Sequence, residues 1–168
     1  MSKEKIIISS SDSNYFFLIK ELHSSLKNNG ILDEYDFAIL DTGLDLKQKN
    51  YFKDYGVLIK SAEWNVKVPK YKILGRENLK TQVARAFLPD YFDNYKLYIW
   101  LDADMWLNDI ESFYLYEKGA LNDKLTIVPQ SDRAYVKIAN VEWLFGFPKK
   151  IKTINYKNIS KSISRPLG

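Results

Sequence analysis

The sequence predicts an α/β layer architecture built on a mostly parallel sheet. Three observations predict it. Short β-branched or aromatic runs alternate with longer amphipathic segments along the chain. The first of these runs, "KIIIS" (Lys5 to Ser9), is continuously apolar at its centre, as in a strand buried on both faces. Polar clusters follow the first and fourth runs directly, where ligands bind at the carboxyl ends of strands in such sheets.

The elements follow in order. After Lys5 to Ser9, "SSDSN" breaks the strand, and Ser13 or Asn14 is placed to cap a helix. Leu18, Leu22 and Leu26 recur every four residues beside Tyr15 and Ile19, which predicts an amphipathic helix stopped by Gly30. Tyr35 to Leu40 is a second strand, and "DTGL" turns into a helix over Asp45 to Gly56. "VLIKSA" (57–62) is a third strand. Residues Glu77 to Phe92 carry a helix that should end near Leu88, because Pro89 disfavours helical geometry before it. "KLYIWL" (96–101) is a fourth strand, "DIESFYLYEKG" (109–119) a helix and "KLTIVP" (124–129) a fifth strand. The aromatics of "NYFF" and "ESFYLY" are read as core, with Tyr15 placed where a base could stack. Trp100 and Trp106 should pack around the fourth strand, and His23 is an ordinary helix residue.

The chain's 168 residues suggest one domain, expected over 1–148, followed by a basic tail over 149–168. Cysteine is absent, which excludes a disulfide framework and a cysteine nucleophile or zinc site. The amino-terminal "MSKEKIIISSSD" has too short an apolar stretch for a signal peptide, and no run approaches a membrane span. A cytoplasmic location is expected. The tail from Lys149 to Arg165 is basic and lacks acidic residues. It reads first as a solvated tail, and second as a peripheral contact with anionic lipid or glycan. No recognition motif supports a nucleic-acid partner.

The chemistry concentrates in "YKLYIWLDADMWLND" (Tyr95 to Asp109), where Asp102 and Asp104 follow an apolar strand. On extended backbone, carboxylates at i and i+2 point to one side, with the small Ala103 pointing away. Two hard anionic ligands suit Mg²⁺ or Mn²⁺, whose remaining positions take water or phosphate oxygens.

"LYIWLDADMWLND" resembles the DxD region of GT-A fold glycosyltransferases, above all those related to glycosyltransferase family 8. "IIISSSDSNYFFLIKELHSSL" is similar to the opening strand, nucleotide-binding turn and first helix of that family. "ILDTGLDLKQKNYF" is similar to its second strand and Gly-Leu turn. "ARAFLPDYFDNYKLYIWLDAD" resembles the arginine-bearing helix that leads into the metal strand, and "KLTIVPQSDRAY" the strand and polar turn that follow. The resemblance spans residues 5 to 136 and implies a shortened GT-A, Rossmann-like three-layer sandwich.

It also implies a hexosyltransferase-type enzyme of polysaccharide biosynthesis. Such an enzyme moves a sugar from a nucleotide-diphosphate donor, a UDP-sugar, to a glycan, lipid or protein acceptor, with retention of configuration and with Mn²⁺ or Mg²⁺ as cofactor. By resemblance Asp104 is the main metal ligand, and Asp102 contacts both ribose and metal. Asp12, Asn14 and Tyr15 hold base and ribose, Ser9 and Ser10 line the floor, and Arg85 reaches the donor sugar or diphosphate.

Other readings stand beside these. Asp12 is equally a helix cap or a turn residue. Arg85 is equally a surface partner of Asp90 or Asp93. Gln130, Asp132 and Arg133 suit either a turn or the donor sugar. The family's third metal ligand is a downstream histidine, whereas the histidine of this chain is His23. Together with the end at "SRPLG", this gives the alternative of a non-catalytic or truncated nucleotide-sugar-binding domain, with slow turnover in isolation. A phosphatase of the haloacid-dehalogenase type would want a Thr or Val where Trp106 stands and a further acidic pair, so it ranks lower.

Overall fold

The computed structural model describes residues 3–120, 124–126, 138–144 and 147–153. Its spatial contacts divide the chain into one unit ending at Leu115 and a second beginning at Tyr116. The first holds a four-stranded sheet in the order β3-β2-β1-β4, from β1 (Lys5–Asp12), β2 (Tyr35–Gly43), β3 (Leu58–Ser61) and β4 (Leu97–Trp100). Every pairing is parallel, so all four carboxyl ends share one edge. The chain steps outward from β1 to β2 and β3, then returns to the other side of β1 for β4. That reversal makes the crevice between the ends of β1 and β4 the topological switch point.

Central strands are set by burial on both faces. Ile7 enters one core with Ile19, Leu22, Leu26, Phe37, Ile39 and Phe52, while Ile6 and Ile8 enter the other with Ala38, Leu40, Ala84 and Leu88. All three isoleucines are fully buried, each contributing about 1.5–3 kcal/mol relative to an exposed position. The first core is covered by α1 (Phe16–Asn28), the short α2 (Ile31–Glu34), α3 (Leu46–Asp54) and α7 (Ile110–Gly119). The second is covered by α5 (Lys80–Ala84) and α6 (Leu88–Tyr91). The short α4 (Lys70–Ile73) lies between β3 and α5 in the chain. Among the described residues no helix is long and apolar enough to cross a membrane.

Several expectations are corrected. The buried face of α1 is Ile19, Leu22, His23 and Leu26, and Leu18 is 42% exposed. The four-residue spacing of the leucines drifts off the 3.6-residue turn, and Ile19 takes the place assigned to Leu18. Glu77 to Leu88 is not one helix. It is broken into a 3₁₀ turn, α5, a second 3₁₀ turn over Arg85–Phe87, and α6. Phe87 leaves helical geometry at φ −122°, ψ 22°, and Pro89 then sits in the first turn of α6, where a missing N–H costs nothing. Trp106 and Phe17 are exposed, as is Tyr15, while Phe113 is core.

In the second unit β5 (Ile138–Leu144) and β6 (Phe147–Thr153) form an antiparallel hairpin that the sequence reading did not expect. Residues 149–153, the first part of the expected tail, thus belong to β6. Of the expected fifth strand, residues 124–126 are not in a strand and 127–129 lie outside the described residues. Gln130, Asp132, Arg133 and the tail from 154 also lie outside them.

The "DTGL" turn is held by Asp41, buried at the end of β2. Its Oδ1 accepts from the backbone N–H groups of Gly43 (2.8 Å) and Leu44 (2.7 Å), and its Oδ2 pairs with Lys49 Nζ at 2.6 Å. Burial pushes this carboxyl up. The Lys49 hydrogen bond, the two N–H groups and the Lys49 charge together outweigh burial and hold it below its ordinary value of 3.8. The folded-state value therefore lies below the unfolded one. Ionised Asp41 contributes stability above the unfolded value, and that contribution is lost as pH falls through the folded value. Asp41→Asn should lower the unfolding free energy by about 2 kcal/mol at neutral pH, and the gap to wild type should close as the pH drops below about 4. Urea unfolding over a pH series checks both; a gap independent of pH would contradict the assignment.

Candidate functional site

The site is built on the register of β1 with β4. Lys5 pairs with Leu97, Ile6 with Tyr98, Ile7 with Ile99 and Ile8 with Trp100. The backbone N–H of Leu101 donates to the carbonyl of Ile8 at 3.0 Å, extending the ladder past the end of β4. The paired register ends at Ile8 and Trp100, so Ser9 and Ser10 follow it on β1 as Leu101 and Asp102 follow it after β4. The two polar clusters singled out in the sequence thus share one edge and neighbouring strands.

The carboxylates are not carried on extended backbone, as the sequence reading had it. β4 ends at Trp100, and the N–H of Met105 donates to the carbonyl of Asp102 at 3.0 Å, closing a turn over 102–105. Ala103 is the anchor of that turn, buried in the first core, and Asp102 and Asp104 on either side of it are exposed. The downstream arm is tied to α1. Ser25 Oγ accepts from the N–H of Leu107 at 3.2 Å, and Asn29 Nδ2 donates to the Leu107 carbonyl at 3.3 Å. The acidic turn is therefore fixed at both ends.

Arg85, on the 3₁₀ turn after α5, reaches into this turn. Its Nη2 donates to Asp102 Oδ1 at 2.5 Å. The same oxygen accepts from Trp100 Nε1 at 2.8 Å. The Arg85 guanidinium also lies over the Trp100 ring, 4.6 Å from its centroid. Arg85 thus pairs with Asp102, not with Asp90 or Asp93. Its Nε is buried without a hydrogen-bond partner among the described residues. Trp100 is the polar partner that the sequence reading missed. Its signal was present: it precedes Asp102 by only two residues, and an indole N–H needs an acceptor when half-buried.

On the β1 side, Asp12 Oδ1 accepts from the N–H groups of Asn14 (2.9 Å) and Tyr15 (3.1 Å), shaping the entry to α1. Neither Ser13 nor Asn14 caps the helix: the N-cap of α1 is Tyr15, without a side-chain cap bond, and Asp12 builds the turn before it. Ser13 instead donates through both N–H and Oγ to the carbonyl of Gly43, joining the turns after β1 and β2. Asn14 is exposed, and Tyr15 is 51% exposed beside it. Ser10 is half-buried. Ser9 is fully buried, with an Oγ that has no partner among the described residues.

His23 does not join the site. It is buried among the rings of Phe37, Phe52 and Tyr55, at 5.4, 6.2 and 5.4 Å. Burial, with Lys27 nearby, holds it below the usual histidine value. No three carboxylate or imidazole groups cluster among the described residues. The donor set at the edge is the carboxylate pair, with Asp102 Oδ2 and both oxygens of Asp104 having no protein partner among the described residues. Exposed carboxylate oxygens without competing donors fit a hard divalent cation that completes its shell with water or phosphate.

No protein-family model matches the sequence, and no curated protein matches it. The fold has matches among solved structures. An active-site mutant of LgtC superposes with a TM-score of 0.50 at 19% identity, over 67% of this chain and 41% of that one. The galactosyltransferase LgtC in complex with donor and acceptor sugar analogs gives a TM-score of 0.47 at 20% identity, over 65% of this chain and 41% of that one. At such identity the likeness of the first is one of fold. The all-parallel sheet with helices on both faces is that of a shortened GT-A, Rossmann-like domain.

The two roles of Asp12 separate by substitution. Asp12→Ala removes the acceptor for two N–H groups and should lower stability by about 1 kcal/mol. Asp12→Asn keeps an acceptor and should lower it by only a few tenths of that figure, which urea unfolding of the two variants resolves.

Proposed function

We propose that this chain is a metal-dependent glycosyltransferase domain taking its sugar from a nucleotide-diphosphate donor, a UDP-sugar, with a glycan, lipid or protein as acceptor. The observation that carries the reading is the contact of Arg85 with Asp102. A cationic fork and an acidic turn meet at the switch point of a parallel sheet, beside the turn that opens α1. That is where a ligand bearing both a phosphate and a ring would find complementary groups.

The chain's own residues divide the work. The exposed ring of Tyr15 offers a face for a base, and Asn14 beside it offers polar atoms to a base or ribose. Ser10 lines the floor between the two turns. Arg85 has one terminal nitrogen on Asp102 and presents the rest of a planar fork suited to phosphate oxygens. Asp102 through its free oxygen, and Asp104, would hold Mn²⁺ or Mg²⁺. Such a cation, when bound, neutralises the charge that develops on a leaving diphosphate. The family resemblance implies retention, and with no named residue placed as a nucleophile the leaving diphosphate itself would assist.

Asp104 has no structural duty among the described residues, so Asp104→Asn should keep the melting temperature while abolishing Mn²⁺-dependent binding of UDP. Calorimetry with and without Mn²⁺ checks this, and equal metal-dependent binding by the variant would remove Asp104 from the site.

Arg85→Ala should weaken UDP by about tenfold or more, as loss of a charge-assisted bond does, and uridine by less than about twofold. Equal losses for the two would assign Arg85 to the base or to the fold.

A further inference from the structure

Trp100 does more at this edge than fill space. Its indole N–H donates to Asp102 Oδ1 at 2.8 Å, and the Arg85 guanidinium lies 4.6 Å from its ring centroid. Arg85 in turn donates to the same Oδ1. Three side chains, from β4, the turn after it and the 3₁₀ turn after α5, thus close a triangle in which each touches the other two. Within it Trp100 is the one member whose position is fixed independently, since its backbone is paired to Ile8 and its ring packs on the second core. Arg85 sits on a single 3₁₀ turn, and Asp102 lies past the end of β4.

We propose that Trp100 is the positioning residue of the donor site. Its N–H fixes which oxygen of Asp102 faces Arg85, so that Oδ2 is the oxygen left for a cation. Its ring face holds the guanidinium level with the acidic turn. A guanidinium with no such plate could swing to solvent, and a carboxylate with no such donor could rotate either oxygen toward Arg85. The inference rests on the donor-site reading above and adds a residue to it. Trp100 is not a catalytic residue, because it acts through Asp102 and Arg85.

The experiment compares wild type with Trp100→Phe, which keeps a ring face and loses the N–H, and with Trp100→Leu, which loses both. Calorimetry reads the affinity for UDP with Mn²⁺ and, separately, for uridine alone. The expected result is about a tenfold loss for UDP·Mn²⁺ in Trp100→Phe, the usual effect of one hydrogen bond to a charged group, a larger loss in Trp100→Leu, and unchanged uridine binding in both. A second reading needs no ligand. The indole ¹H–¹⁵N signal absent from the Trp100→Phe spectrum belongs to Trp100, and it should shift in Asp102→Asn. That signal also keeps the test decisive if Trp100→Leu fails to fold. Wild-type affinity for UDP·Mn²⁺ in a folded Trp100→Phe, or an indole signal indifferent to Asp102→Asn, overturns the positioning role and leaves the donor reading standing. Absence of UDP binding by the wild type overturns the donor reading, and the positioning role with it.

Discussion

The parallel pairing of β1 with β4 is the constraint on which the rest of this molecule depends. It places a strand ending in Ser-Ser-Ser-Asp next to one that runs straight into the Asp102–Met105 turn, in a register that leaves both at the same edge. The pairing survives because β1 cannot be exposed on either face: its three isoleucines alternate between two cores. Slipping the register by one residue would put Ile7 on the wrong face and move the acidic turn relative to the α1 turn at once. Position of the site and stability of the sheet are therefore a single property.

An acidic turn at such an edge is not stable by default. Two carboxylates separated by one residue repel, and among the described residues no backbone N–H donates to them as it would at a helix N-terminus. The molecule answers with geometry at three points. Ala103 is buried beneath the pair, Ser25 and Asn29 hold the segment that leaves it, and Arg85 with Trp100 engages one oxygen of Asp102. These arrangements hold the turn without consuming the oxygens of Asp104. The ion pair is half-exposed, so its value lies less in stability than in fixing where the carboxylate points.

Much of this was legible in the sequence. Periodicity located β1 to β4, α1, α3 and α7, and the strand-end rule placed the two polar clusters together. Physical reasons account for what was not. A proline in the first turn of a helix and one just past a helix end read alike until the helix start is known, so Glu77 to Leu88 looked like one helix stopped by Pro89, and the segment is several short helices with Pro89 inside the last. The backbone after β4 could have stayed extended or turned. Only the burial of Ala103 in the first core decides for the turn, and burial of an alanine leaves no trace in a hydrophobic pattern. Arg85 had three aspartates within plausible reach, and the choice among them is a matter of tertiary approach across 17 positions. Phe17 was misjudged as core, and Trp106 as packed around the fourth strand, because large aromatics near a crevice and large aromatics in a core have the same composition.

Four aspartates along the carboxyl edge show how structure separates roles that sequence leaves equal. Asp41 is buried, with both oxygens engaged by Gly43, Leu44 and Lys49, so it has nothing left for a ligand. Asp12 gives one oxygen to the turn that opens α1. Asp102 gives one oxygen to Arg85 and Trp100 together. Asp104 is exposed and gives none to the described residues. Capacity to bind a ligand runs opposite to structural engagement, because an oxygen already holding two donors can accept a cation only by releasing them. The ranking singles out the pair on the β4 side, and it does so without reference to the motif they spell. It also explains why Asp41, equally acidic and equally at a strand end, belongs to the fold: a carboxylate held below its ordinary value by its own lysine is already neutralised, whereas the carboxylates of the 102–105 turn carry one guanidinium between two charges and remain a net anion facing solvent.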